Sequence, residues 1–198
     1  MIEIEMFARE NNIPIMQKDG ILYLIEYIKR NNVKKILEIG TAIGYSSIMM
    51  ASINKEIRVT TIEKDKERYN IAISNIKRHN LDDQIKVICK DACEVNLKEK
   101  FDLIFIDAAK GKNILFFNKF KENLSKEGTI ITDNLSFHGL VEDSNLIKTK
   151  NQKGIVKKIK DYIYFLDNNI EFVTKYVKVG DTISISRRRP NDELNSSS

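Results

Sequence analysis

Lys35-Ile36-Leu37-Glu38-Ile39-Gly40-Thr41-Ala42-Ile43-Gly44-Tyr45-Ser46 is the stretch on which the fold turns. Its first five residues make a short apolar run closed by a glycine, the pattern of a buried strand. From Tyr45 to Ile53 the apolar spacing becomes helical. Strand, glycine turn and helix open a βαβ unit, and the turn presents free backbone N–H groups to a polar or anionic ligand.

Outward from that stretch the alternation repeats. Arg58–Glu63, Ile85–Ile88, Asp102–Ile106 and Thr129–Thr132 read as strands. Lys66–His79 and Ile114–Leu124 read as helices between them. Asp102–Ile106 is almost wholly apolar, as a central strand buried on both faces should be. Repeated strand–helix–strand units imply a parallel sheet covered by helices on both faces. The end of the chain departs from this. A long helix over Gln152–Leu166 precedes two alternating runs, Phe172–Val179 and Thr182–Ser186, joined across Gly180-Asp181. That is an antiparallel hairpin. Residues 1–30 read as an N-terminal helical segment broken by Pro14, and 190–198 as a polar, flexible tail.

Composition sets the bounds. The chain has 198 residues, enough for a single domain with a full core over 1–198, and its 42% hydrophobic share is that of a globular protein. No apolar run reaches the roughly 18 residues of a membrane span. Met1-Ile2-Glu3-Ile4-Glu5 lacks a basic start, so no signal peptide is expected. Cys89 and Cys93 are the only cysteines and read as ordinary thiols in a reducing, cytoplasmic setting. The net charge of +5 permits an anionic partner without demanding one.

The chemistry-bearing residues follow the apolar runs. In an open α/β sheet, ligands bind at the carboxyl ends of the strands. Gly40 and Gly44 stand four apart with no third glycine, which argues against a dinucleotide fingerprint. Glu63 ends the next run, where an acid can accept bonds from both ribose hydroxyls. Asp91-Ala92 follow the third, where the base should lie. Asp107-Ala108-Ala109-Lys110 and Asp133-Asn134 follow two more. Two carboxylates and an amide oxygen suit a hard divalent cation. Together these residues describe an enzyme that binds a nucleoside cofactor beside a metal ion.

The order Glu38-Ile-Gly-Thr-x-x-Gly-Tyr-Ser46, Glu63, Asp91-Ala92, Asp107-Ala-x-Lys110 and Asp133-Asn134 resembles the class I S-adenosylmethionine O-methyltransferases of the catechol O-methyltransferase-like type. The resemblance spans nearly the whole chain. It implies a Rossmann-like, doubly wound sheet of seven strands, mostly parallel, with the last strand antiparallel. It implies S-adenosylmethionine held by Glu63 at the ribose, Asp91 and Ala92 at the adenine, and Gly40, Gly44 and Ser46 at the methionine end. Glu38, Asp107 and Met16 of Pro14-Ile15-Met16-Gln17 are counted with them. It implies magnesium, or manganese, on Asp107, Asp133 and Asn134, with Lys110 as general base and Asp107 beside it. A homodimer is the expected assembly. Phe137 and His138 follow the metal segment and can line a substrate pocket, but a lone loop histidine does not enter the catalytic set.

Within that family, the Phe105–Gly111 segment, Phe116-Phe117 and Ile39–Ser47 look most like the branch that methylates 5-hydroxyuridine at the wobble position of bacterial tRNA. The alternative acceptor is a small catechol. A non-catalytic cofactor-binding protein would have no need of Asp107, Lys110, Asp133 and Asn134 together. Lys148, Lys150, Lys153, Lys157, Lys158 and Lys160, with Arg187, Arg188 and Arg189, are the expected phosphate contacts if tRNA is the partner. Phe116, Phe137 and Tyr164 are the aromatic groups on hand to grip a base.

Overall fold

The structure, a computed structural model, describes residues 1–108 and 110–190. Ala109 and the tail beyond 190 lie outside the described residues. Two helices come first, α1 (Ile2–Glu10) and α2 (Lys18–Arg30), with Pro14 between them. Then follow β1 (Lys35–Ile39), α3 (Tyr45–Ala51), β2 (Arg58–Glu63), α4 (Lys66–Arg78), β3 (Ile85–Cys89) and β4 (Phe101–Ile106). The chain ends with α5 (Asn113–Phe120), β5 (Leu124–Thr132), α6 (Lys150–Asp167), β6 (Phe172–Val177) and β7 (Ile183–Arg188). No helix among these is long and apolar enough to cross a membrane.

The seven strands form one sheet in the order β3-β2-β1-β4-β5-β7-β6. β1 to β5 are mutually parallel, and β7 runs antiparallel to both β5 and β6. β6 therefore points the same way as β1 to β5, and β7 alone is reversed. The Rossmann-like sheet of seven strands with an antiparallel last strand is present as expected.

Alternate residues of the central strands feed two separate cores. Ile36, Leu103, Phe105 and Ile131 face α1, α2, α3 and α4, packing with Leu24, Ile28, Ile48 and Ile76. Leu37, Ile104, Ile106 and Ile130 face α5 and α6, packing with Phe117, Phe120, Ile159 and Tyr162. The period of two explains why Leu103 to Ile106 is continuously apolar: both faces of the sheet are covered.

One boundary differs from expectation. The helix read over Ile114–Leu124 ends at Phe120, a single 3-10 turn covers Lys121–Asn123, and Leu124 already belongs to β5. Leu124 pairs with Phe101 and is buried, ahead of a register shift that brings Leu103 opposite Thr129. An irregular, locally bulged strand start of this kind leaves no periodic signature. The β6–β7 connection is also longer than a two-residue turn, taking residues 178–182.

The strand order reverses direction between β1 and β4, and there the two strand ends come very close. Gly40 has φ of 106°, and a Cβ built on it would lie 2.1 Å from the carbonyl oxygen of Asp107. Only glycine fits, for reasons of both backbone angle and space. Gly40→Ala should lower stability by at least about 3 kcal/mol, combining positive-φ strain with overpacking. Chemical denaturation followed by circular dichroism checks this, and an unchanged midpoint would refute the contact.

Candidate active site

The site lies across that reversal, at the carboxyl ends of the strands. The backbone ladder runs one step beyond each strand before the chain turns away. Gly40 N–H donates to Ile62 O (3.0 Å), Asp107 N–H to Ile39 O (3.0 Å) and Asp133 N–H to Ile106 O (3.2 Å). These bonds fix the first residue after β1, β4 and β5 on one shelf. A cavity of about 440 Å³ opens above it, large enough for a nucleoside-sized ligand.

One end of the cavity is built around Glu63, which is buried. Its Oε2 accepts from Ala42 N–H and its Oε1 from Asp65 N–H, both at 2.9 Å. Each oxygen keeps a free lone pair toward the cavity, so the carboxylate is oriented before any hydroxyl arrives. Asp91 and Ala92 form the adjacent wall. The Cys93 backbone N–H, then the Lys112 ammonium at 2.9 Å, hold the Asp91 carboxyl well below the usual carboxylate range. Gly40, Ser46 and Met16 also face the cavity, while Gly44, at φ 86°, caps the start of α3 just outside it.

Glu38 lies apart from these residues. Counted with the cofactor residues from the motif, it is fully buried beneath the glycine turn and has no place on the cavity wall. Its carboxylate accepts from the hydroxyls of Ser46, Ser47 and, at 2.6 Å, Thr61. Because Thr61 donates to Glu38, it must accept from Thr41, 2.6 Å away. Glu38 therefore acts through the turn by bracing it from below. Complete burial pushes its carboxyl up to about 7, against the three hydroxyl bonds that favour the charged form.

At the other end Asp107, Lys110, Asp133 and Asn134 converge. The Asn134 amide nitrogen lies 3.0 Å from Asp107 Oδ1 and 3.1 Å from Asp133 Oδ2. Lys110 Nζ stands 3.4 Å from Asp107 Oδ1 and 3.5 Å from Asp133 O. Burial, and next the charge of Asp107, raise the Asp133 carboxyl above its ordinary range. Among the described residues no three acidic, histidine or cysteine side chains cluster as metal ligands, so this set is two carboxylates and one amide. It fits a hard cation all the same. Two carboxylates share a dehydrated corner with a single ammonium near them, and rotating the amide by half a turn brings its oxygen toward both. Asp133 itself is buried just behind the wall that Asp107, Lys110 and Asn134 form. Phe116, Phe137 and His138 close this end of the cavity. Tyr164 is 71% exposed on α6 and is not part of the wall.

Two of the arginines expected to meet phosphate bond to other parts of the chain instead. Arg187 donates to Tyr27 Oη (2.8 Å) and Asn31 Oδ1 (2.6 Å), and Arg188 donates to Lys121 O (2.8 Å). Sequence reasoning also missed Lys64, Arg68, Lys90 and Lys112, which line the cavity on its Glu63 side. Lys64 and Lys90 immediately adjoin Glu63 and Asp91, and that adjacency was their only signal.

An α/β sheet with a cavity at its strand-order reversal, a buried acid at one end and a lysine beside two carboxylates at the other has the parts of a group-transfer site. A sequence model of the O-methyltransferase family matches residues 3–189, and the chain belongs to that family. It is an S-adenosylmethionine-dependent O-methyltransferase. A Staphylococcus aureus structure, provisionally described as a caffeoyl-CoA O-methyltransferase, is 37% identical with a TM-score of 0.89, over 94% of this chain and 90% of that one. The Bacillus cereus O-methyltransferase in complex with SAH is 26% identical with a TM-score of 0.78, over 94% and 89%. Catechol O-methyltransferase of Niastella koreensis is 38% identical over 120 residues, which is 57% of this chain and 54% of that protein.

Two measurements probe the geometry. Bonds to a charged group contribute about 1.5–3 kcal/mol each, so Glu63→Ala should weaken S-adenosylmethionine binding at least about tenfold in a folded protein. Unchanged affinity by calorimetry would remove Glu63 from the site. For Glu38, the folded carboxyl titrates near 7 and the unfolded one near its ordinary 4.5. Its contribution to stability is therefore complete below the unfolded value and is lost as pH rises through 7. The whole span is on the order of 3 kcal/mol at 1.36 kcal/mol per unit. Glu38→Gln should flatten the fall in stability between pH 5 and 8, measured by urea unfolding. Parallel curves for variant and wild type would contradict the buried, protonated state.

Proposed function

We propose that the chain transfers a methyl group from S-adenosylmethionine to one of two adjacent oxygens on its acceptor, with magnesium or manganese on Asp107, Asp133 and Asn134. The observation that carries this is the meeting of two carboxylates and an amide within about 3 Å, beside Lys110 and at the end of a cofactor-sized cavity. When bound, the cation supplies Lewis acidity that favours ionisation of the acceptor hydroxyl. Glu63 binds the ribose hydroxyls, and Asp91 and Ala92 meet the adenine. Gly40, Ser46 and Met16 hold the methionine end, with Gly44 and Glu38 shaping the turn that carries them. Lys110 Nζ is placed to take the hydroxyl proton as the oxygen attacks the sulfonium methyl, whose C–S bond breaks to release S-adenosylhomocysteine. Phe116, Phe137 and His138 exclude water from the reacting atoms.

The proposed acceptor is 5-hydroxyuridine at the wobble position of tRNA, giving 5-methoxyuridine. Its hydroxyl stands next to the O4 carbonyl and offers the required oxygen pair. The placement of Lys158 supports this reading. Its ammonium packs over Gly111, one residue beyond Lys110, so that a Cβ on Gly111 would lie 3.0 Å from Nζ. Lys150, Lys153, Lys157 and Lys160 are exposed along the same helix, although Lys157 pairs with Asp161 at 2.9 Å. A helix edge of this charge beside the site suits an RNA backbone. The second reading, a small catechol, is favoured by what the relatives are called.

Labelled cofactor distinguishes them. Hydroxyuridine-containing tRNA should be methylated with magnesium, lose methylation in excess chelator, and bind with a log–log salt slope of about −0.7 to −0.9 per phosphate contact. Asp133→Ala should abolish turnover while leaving cofactor affinity nearly intact. Full activity in chelator would remove the metal. Efficient methylation of catechol with tRNA untouched would assign the enzyme to small molecules.

A further inference from the structure

The loop that carries Asn134 has a costly backbone. Asn134, Phe137 and His138 have φ of 66°, 51° and 58°, and Gly139 of 84°. Asparagine and histidine tolerate the left-handed region better than most residues, but phenylalanine seldom enters it, and a run of such residues needs an external restraint. The restraint is the connection between β6 and β7. Leu135 N–H donates to Thr182 O at 2.9 Å and Ser136 N–H to Asp181 O at 3.0 Å. His138 N–H donates to Asp181 Oδ1 at 2.6 Å. Of the three, only the last depends on a side chain.

Asp181 is an unusual residue to find there. It is 3% exposed, forms no ion pair among the described residues, and its Oδ2 has no hydrogen-bond partner. A buried, unpaired carboxylate is a poor device for stability. The same connection also abuts the opposite wall of the cavity. A Cβ on Gly180 would lie 3.2 Å from Gly20 N and 3.4 Å from Gln17 Cβ, and a Cβ on Gly20 would lie 3.1 Å from Met16 Cε. One short segment thus touches both the stretch that carries Met16 and the loop that carries Asn134, Phe137 and His138.

We propose that Asp181 is a positioning residue for methyl transfer. Through the His138 N–H it holds the 134–139 loop in its left-handed conformation, and so sets the Asn134 amide and the Phe137–His138 wall against the acceptor. This rests on the reading that the loop forms the acceptor side of the site. The role belongs to the hydrogen-bond acceptor, Oδ1, and not to the charge.

Asp181→Ala and Asp181→Asn separate these possibilities, because asparagine keeps Oδ1 and alters only the atom without a partner. With hydroxyuridine-containing tRNA and with catechol as acceptors, Asp181→Ala should lower kcat/KM at least about tenfold, the acceptor KM rising more than kcat falls. Its affinity for S-adenosylmethionine without acceptor should stay within about twofold. Asp181→Asn should stay within about threefold of wild type in kcat/KM and melt no lower. Amide exchange supplies an arm that needs no variant: the His138 N–H should be protected in the wild-type protein, and in Asp181→Asn, but not in Asp181→Ala. An Asn variant as impaired as the Ala variant would overturn the proposal in favour of charge. Parallel loss of cofactor and acceptor binding would reduce Asp181 to general stability, and an unprotected wild-type His138 amide would exclude the latch. Chelator-resistant turnover would sink the metal reading instead, and leaves the exchange result standing.

Discussion

The contact between the end of β1 and the end of β4 governs everything above it. Gly40 lies against the Asp107 carbonyl with no room for a single added carbon. That contact puts the glycine turn and Asp107, the proposed cofactor turn and the first proposed metal ligand, on adjacent strands. Parallel pairing extends the arrangement outward: Ile62 O binds the turn from one side and Ile106 O fixes Asp133 from the other. The sheet works as a ruler, and the reacting groups are spaced by strand separation rather than by loop conformation.

Much of this was legible because burial on both faces leaves a strong signature. Lys35–Ile39, Arg58–Glu63 and Asp102–Ile106 are short and rich in apolar or β-branched residues, and a candidate site residue ends or follows each one. The C-terminal hairpin announced itself through alternation. What stayed hidden depends on distance in space. Glu38 sits in the motif, yet it is fully buried against the hydroxyls of Ser46, Ser47 and Thr61, a placement that only the fold reveals. Arg187 looks like a basic tail residue until Tyr27 and Asn31, some 160 positions earlier, fold against it. Asp181 carried no signal beyond a turn, since its partner is a backbone N–H forty-three residues away.

The two ends of the cavity differ in electrostatic character. At the Glu63 end, backbone N–H groups donate to both acids, and Lys112 adds an ion pair that helps hold the Asp91 carboxyl below its ordinary range. At the Asn134 end, Asp133 is buried beside Asp107 and its carboxyl is driven toward the protonated form. The first arrangement suits neutral hydroxyls and amines that donate hydrogen bonds. The second is frustrated without positive charge, which is the property that the proposed cation would relieve.

The position of β7 bears on the order in which the protein is made. β6 leaves the ribosome before β7, yet its only neighbour in the sheet is β7, which lies between it and β5. Nascent β6 has no docking edge until residues 183–188 have emerged, so the hairpin must join as a unit. The segment bearing Asp181 arrives in the same step. β1 to β5 are translated first and can pair as they appear, whereas the loop bearing Asn134 waits for residues 181 and 182 to restrain it. A ribosome stalled before β7 would thus present a nascent chain with the Glu63 end of the cavity assembled and the Asn134 end unrestrained.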